Sequence, residues 1–222
     1  MQQKTILCYG DSNTWGFVPL SDHSLQKKRY ARNERWPGLL QEKLGNDFYV
    51  IEEGLNGRTT DVDYHIPPDR NGKTYLPSCL YSHAPIDLVI LALGGNDFKS
   101  YFNRDSKDIK NGLAALVDVI QGSIEYGPEL QSAPKLLITT AVVPLASVES
   151  YLDDDGIEFL KGCFEKSKEL VGLFKDLARE KSCYFADVSE IALPSEVDGV
   201  HYDKVGHLKF AEEMYDKVLK IL

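Results

Sequence analysis

Five short apolar segments punctuate the chain: KTILCY (residues 4–9), FYVIEE (48–53), IDLVILAL (86–93), KLLITTAVV (135–143) and CYFADV (183–188). Each is brief and rich in β-branched or aromatic residues, as strands are. Between them run segments with apolar positions at helical spacing: RWPGLLQEKL (35–44), SKDIKNGLAALVDVIQGSI (106–124), GIEFLKGCFEKSKELVGLFKDLAREK (156–181) and DKVGHLKFAEEMYDKVLKIL (203–222). Alternation of this kind predicts a parallel sheet covered by helices on both faces, a three-layer α/β/α sandwich of about five strands. The stretch DLVILAL is almost continuously apolar, which suits a central strand buried on both sides.

Parallel strands place all their carboxyl ends at one edge of the sheet, where such folds hold their ligands. The first strand runs into GDSN, the second into GLNGRTT and the third into GGND, while the last leads through a loop to DGVHYDKVGH. Four polar clusters from distant parts of the chain are thus expected on one rim. The longer segments 17–35 and 61–85 read as loops able to overhang that rim or meet another subunit, so a homo-oligomer is an expectation without a defined order.

Composition narrows the function classes. At 222 residues, with 43% hydrophobic and 27% charged side chains and no linker-like segment, the chain is expected to form one domain, residues 1–222. A net charge of -9 opposes a general polyanion-binding surface, so nucleic acid is not expected as a partner; the mixed-charge QKKRYARNER reads as solvated surface. No apolar run reaches membrane-spanning length, and MQQKTILCYG lacks the features of a secretory signal, so a cytoplasmic location without membrane association is expected. Cys8, Cys79, Cys163 and Cys183 have neither metal-ligand spacing nor disulfide density and read as reduced thiols.

The chemistry follows from the clusters. Ser12 stands at a strand end and at the expected first turn of a helix, where a hydroxyl nucleophile needs a base within hydrogen-bond reach. Of five histidines, His23, His65 and His83 lie in loop-like polar sequence without an orienting acid. In DGVH, Asp198 precedes His201 by a spacing that brings a carboxylate to Nδ1 while Nε2 faces Ser12. His207, at the expected start of the last helix, is the competing base and suits packing or capping better. An acyl-transfer intermediate also needs oxyanion donors, for which the Ser12 N–H, the Gly57 N–H and the Asn96 amide are candidates. Asp11 and Asp97 read as acceptors for nearby loop amides or as helix starters, and Asn13 belongs with them beside the reacting groups. No compact histidine and carboxylate cluster predicts a metal, and DRNGKT lacks the context of a phosphate-binding loop. Trp15, Phe17, Pro144 and Val200 are candidate walls for the substrate, or core residues.

The same clusters, YGDSNTWG, GLNGRTT, LALGGND and DGVHYDKVGH, resemble in order and position the blocks of the GDSL-like, or SGNH, hydrolases. That resemblance implies a flavodoxin-like fold and a cofactor-free serine esterase with Ser12, His201 and Asp198 as its triad. It also implies an oxyanion hole of Ser12, Gly57 and Asn96. The wording GDSNTWG and GLNGRTT is similar to the branch of small-acyl arylesterases and acyltransferases, with carbohydrate acetylesterases as near relatives. A short-chain acyl ester, or an acetylated sugar, is the implied substrate. The chain departs from the family pattern at Asn13, where leucine is common, and in GGND, where GTND is frequent. Another class, a non-catalytic carbohydrate-binding module on the same fold, would use the rim for contact alone.

Overall fold

The computed structural model describes residues 3–21, 26–64, 67–153 and 155–222; His23 and His65 lie outside the described residues. Five strands, β1 (Lys4–Gly10), β2 (Phe48–Gly54), β3 (Leu88–Ala92), β4 (Lys135–Thr139) and β5 (Tyr184–Ala186), form one sheet in the order β2-β1-β3-β4-β5. Every pairing is parallel, with Gly10 opposite both Gly54 and Ala92 at the carboxyl edge. This is the three-layer arrangement that the alternation predicts, with the flavodoxin-like strand order that the family resemblance implies.

The period-two alternation of side chains along each strand divides the core. Leu7, Tyr9, Val89, Leu91, Leu136 and Ile138 pack on one face, beneath α3 (Gly72–His83), α4 (Ser106–Gln121) and α5 (Cys163–Glu180). Ile6, Cys8, Leu88, Ile90 and Leu137 pack on the other, beneath α2 (Trp36–Leu44) and α6 (Lys204–Ile221). The α4 stripe of Ile109, Leu113, Leu116, Val117 and Ile120 is wholly buried. Such a stripe carries most of a helix's stability, at roughly 1.5–3 kcal/mol for each fully buried large aliphatic side chain.

Several boundaries and one element differ from the sequence reading. The apolar run of the third strand extends before Leu88, and that of the fourth past Thr139, as loop; α5 begins only at Cys163, after Gly162 in a left-handed turn with φ 74°. Residues 61–85 are not one long loop, because α3 occupies their second half. It carries Pro77 internally, and its buried stripe is short: Leu76, Cys79 and Leu80. Asn71 caps it by accepting the Thr74 N–H at 3.2 Å. His83 therefore ends a helix rather than lying in a loop. Among the described residues, no helix is long and apolar enough to cross a membrane.

The chain leaves β1 for β2 on one side and returns to β3 on the other. The strand order thus reverses between β1 and β3, and the crevice outside their carboxyl ends lies at that switch point.

Candidate active site

At the end of β1 the backbone must turn at once into the four-residue helix α1 (Ser12–Trp15). Asp11 makes the turn: its Oδ1 accepts the Asn13 N–H at 2.9 Å, capping the helix. Ser12 is then the first helical residue, its hydroxyl at the crevice. Burial raises the Asp11 pKa, against the pull of the Asn13 N–H and of the cations around it.

Across the crevice, residues 198–202 present the histidine. Asp198 Oδ1 accepts the backbone N–H groups of Val200 and His201 at 3.1 and 3.0 Å, folding the chain back on the carboxylate. Asp198 Oδ2 lies 2.8 Å from His201 Nδ1, and His201 Nε2 lies 2.9 Å from Ser12 Oγ. Burial disfavours the Asp198 charge, but the imidazole and the two N–H donors outweigh it and hold the carboxyl below its ordinary value. Gly199 permits the turn: its φ is 70°, and a Cβ there would meet Val148 Cγ1 at 2.4 Å. Phe17 stacks on the His201 ring with centroids 4.3 Å apart.

Asn13 ties the two sides together. Its Nδ2 donates to the Val200 carbonyl at 3.2 Å, and its Oδ1 accepts the Tyr202 N–H at 2.8 Å. The residue that departs from the family's leucine thus grips the backbone on both sides of His201.

The other loops bring the remaining groups. Gly57 adopts φ 80°, a left-handed conformation suited to glycine. Its neighbour Arg58 is buried, donates to the carbonyls of Gly10 and Glu53, and lies 4.0 Å above the Tyr9 ring. Asn96 sits in a 3₁₀ turn after β3 and donates from Nδ2 to the Arg58 carbonyl at 3.2 Å. Asp97, fully buried, accepts the Thr60 N–H at 3.0 Å, the Thr60 hydroxyl at 2.6 Å and Arg104 Nη1 at 2.7 Å. Burial pushes its pKa up to about 6 against those donors. Asp97 therefore braces the loop that carries Gly57 and does not face the reacting groups.

A cavity of about 150 Å³ opens on Ser12, Asn96 and His201. Pro144 and Val200 line it, as do Phe98, Val142, Tyr151, Phe159 and Leu160, which the sequence did not single out. Trp15 is not a wall: it packs against Phe17 and beneath Arg29. Lys99, also missed, reaches the cavity from the 3₁₀ segment after β3. Only its position three residues after Asn96 could have drawn notice.

Among the described residues, one trio could hold a metal ion: Glu53, Cys79 and His83, whose ligand atoms lie within 4.8 Å of one another. Two of the three are already paired with each other. His83 Nε2 and Glu53 Oε1 are 2.9 Å apart, and burial drives the Cys79 thiol up to about 12, keeping it protonated.

Comparison with known proteins identifies the family. The GDSL-like Lipase/Acylhydrolase family matches residues 8–216. An aryl esterase of M. smegmatis shares 38% identity and superposes with a TM-score of 0.90, over 99% of this chain and 100% of its own. A carbohydrate acetylesterase from Sinorhizobium meliloti shares 37% identity with a TM-score of 0.89, again over 99% and 100% of the two chains. A putative arylesterase from Agrobacterium tumefaciens shares 34% identity with a TM-score of 0.84 over the same shares. No curated protein matches by sequence. With the family's pattern running through nearly the whole chain and the fold retained from first strand to last helix, the chain belongs to the GDSL-like lipase/acylhydrolase family and is a carboxylic ester hydrolase.

Proposed function

We propose that the protein is a serine esterase for short-chain acyl esters, working through a covalent acyl-enzyme on Ser12. The observation that carries this reading is the relay from Asp198 Oδ2 to His201 Nδ1 at 2.8 Å and from His201 Nε2 to Ser12 Oγ at 2.9 Å. Neutral His201, donating Nδ1–H to Asp198, accepts the Ser12 proton as Oγ attacks the ester carbonyl carbon. The resulting imidazolium is stabilised by the Asp198 carboxylate and returns the proton to the leaving alkoxide. Water, or an acceptor alcohol, then attacks the acyl-enzyme with His201 again as base. The Ser12 N–H, the Gly57 N–H and Asn96 Nδ2 receive the developing oxyanion, a water-shielded charge on which each donor is worth about 2.7–4 kcal/mol.

The short acyl group rests on the cavity. At about 150 Å³ it is smaller than the roughly 300–1,000 Å³ of sites for drug-sized ligands, and its walls are largely apolar. The similarity to the aryl esterase supports an aryl alcohol; that to the carbohydrate acetylesterase supports O-acetyl sugars as the second substrate class. Three buried free cysteines and a fourth partly buried favour a reducing compartment, hence the cytoplasm. On this reading the protein works as a single self-associating domain with neither nucleic acid nor membrane as partner.

The test is covalent capture. A fluorophosphonate probe should add once, at Ser12, and mass spectrometry of Ser12→Ala should show no adduct and no hydrolysis of aryl acetates. An active protein with an unlabelled Ser12 would sink the mechanism, whereas efficiency that climbs steadily with acyl length would remove only the short-chain assignment.

A further inference from the structure

The Asn96 carboxamide has two ends of the same shape and opposite chemistry, and only its nitrogen end can donate to an oxyanion. Its neighbours decide which. Lys99 Nζ, which only donates, lies 2.8 Å from Asn96 Oδ1. The Arg58 carbonyl, which only accepts, receives Nδ2 at 3.2 Å. Turning the amide over would set NH₂ against an ammonium and one carbonyl against another.

Lys99 is itself held in place. Its Nζ donates to the Tyr64 hydroxyl and lies 4.6 Å from the Tyr64 ring centroid. It shares the cavity with Ser12 and His201. Burial pulls its pKa down to about 8, while the charges of Asp11 and Asp97 pull the other way, so it is chiefly an ammonium at neutral pH.

We propose that Lys99 is a positioning residue for the esterase reaction: it locks the Asn96 carboxamide with Nδ2 toward the developing oxyanion. By binding Oδ1 as a cation, it also makes that N–H a stronger donor. The inference rests on the oxyanion role of Asn96 given above and adds the group that gives this donor its direction. Nothing in the ground state of the ester needs Lys99, so its effect belongs to the transition state.

The test is a double-mutant cycle on single-turnover acylation by p-nitrophenyl acetate, with circular dichroism as the folding control. Lys99→Met should slow acylation on the order of 10–10²-fold with KM nearly unchanged, less than the roughly 10²–10³-fold loss from removing the Asn96 donor itself. In an Asn96→Ala background the same substitution should cost less than about threefold, because no amide remains to orient. Lys99→Gln, which keeps a donor, should stay within about tenfold of the parent, and Lys99→Leu takes the place of Lys99→Met in the cycle if the latter does not fold. Multiplicative losses in the double variant, a normal rate in folded Lys99→Met, or a larger loss in folded Lys99→Gln would each overturn the role of Lys99. A normal rate in Asn96→Ala would instead remove the oxyanion reading on which the proposal stands.

Discussion

His201 and His207 lie a short stretch of chain apart and are rival bases by sequence, yet the fold treats them in opposite ways. His201 stands in a turn at the sheet edge with its side chain 18% exposed, a carboxylate on one nitrogen and a hydroxyl on the other. His207 lies inside α6 with no exposure, its Nδ1 accepting the Trp36 N–H at 3.3 Å and its Nε2 without a hydrogen-bond partner among the described residues. Tyr30 and Tyr202 flank it with their rings nearly perpendicular to the imidazole, centroids 5.3 and 5.8 Å away. Burial drives its pKa down to about 3. One imidazole is held between a carboxylate and a nucleophile, while the other is kept neutral as packing and as an acceptor for the start of α2. Partners and water access, not residue type, separate a base from a core residue.

The contrast breaks most sharply at His201. His201→Ala should lower acylation by about 10⁴-fold or more with unchanged circular dichroism, and Asp198→Asn should cost on the order of 10²–10⁴-fold by removing the charge that orients the ring. Single-turnover kinetics checks both, and a His201→Ala protein that still acylates would exchange the roles of the two histidines.

At His207 the effect should appear in stability. The unfolded chain protonates this imidazole near pH 6.5, whereas the folded protein does so only near about 3. Between those values the unfolded state binds more protons, so stability present above about pH 6.5 is lost as the pH falls, by roughly 2–3 kcal/mol at pH 4.5. His207→Gln should flatten that dependence in denaturant melts at pH 7 and 4.5 while acylation stays within about threefold of the parent. An unchanged slope would mean that other groups carry the acid sensitivity.

The smallest expected effect is at Asp203, whose Oδ1 accepts the Gly206 N–H at 2.9 Å and caps α6. Asp203→Ala should cost about 1 kcal/mol of stability without altering kcat/KM. A large loss of activity would mark Asp203, not Asp198, as the partner of the reacting histidine.

Much of the architecture is written in local pattern. Strand brevity, helical periodicity and small polar residues after each strand were enough to anticipate the sheet and the convergence of Ser12, Gly57, Asn96 and the 198–201 turn on one rim, because period and turn chemistry act over a few neighbouring residues. Helix α3 escaped that reading because a glycine, an internal proline and a narrow buried stripe weaken its local signal, and packing of Leu76, Cys79 and Leu80 against the sheet makes up the difference. The partnerships within the site are equally a matter of tertiary structure. Asn13 holds Val200 and Tyr202 from the far end of the chain, Asp97 is committed to Thr60 and Arg104, and Lys99 meets Asn96 with Tyr64 closing over it. A side chain's type and spacing determine what bonds it is able to make; which of them it makes depends on groups that only the folded sheet brings within reach, and on the water that folding removes.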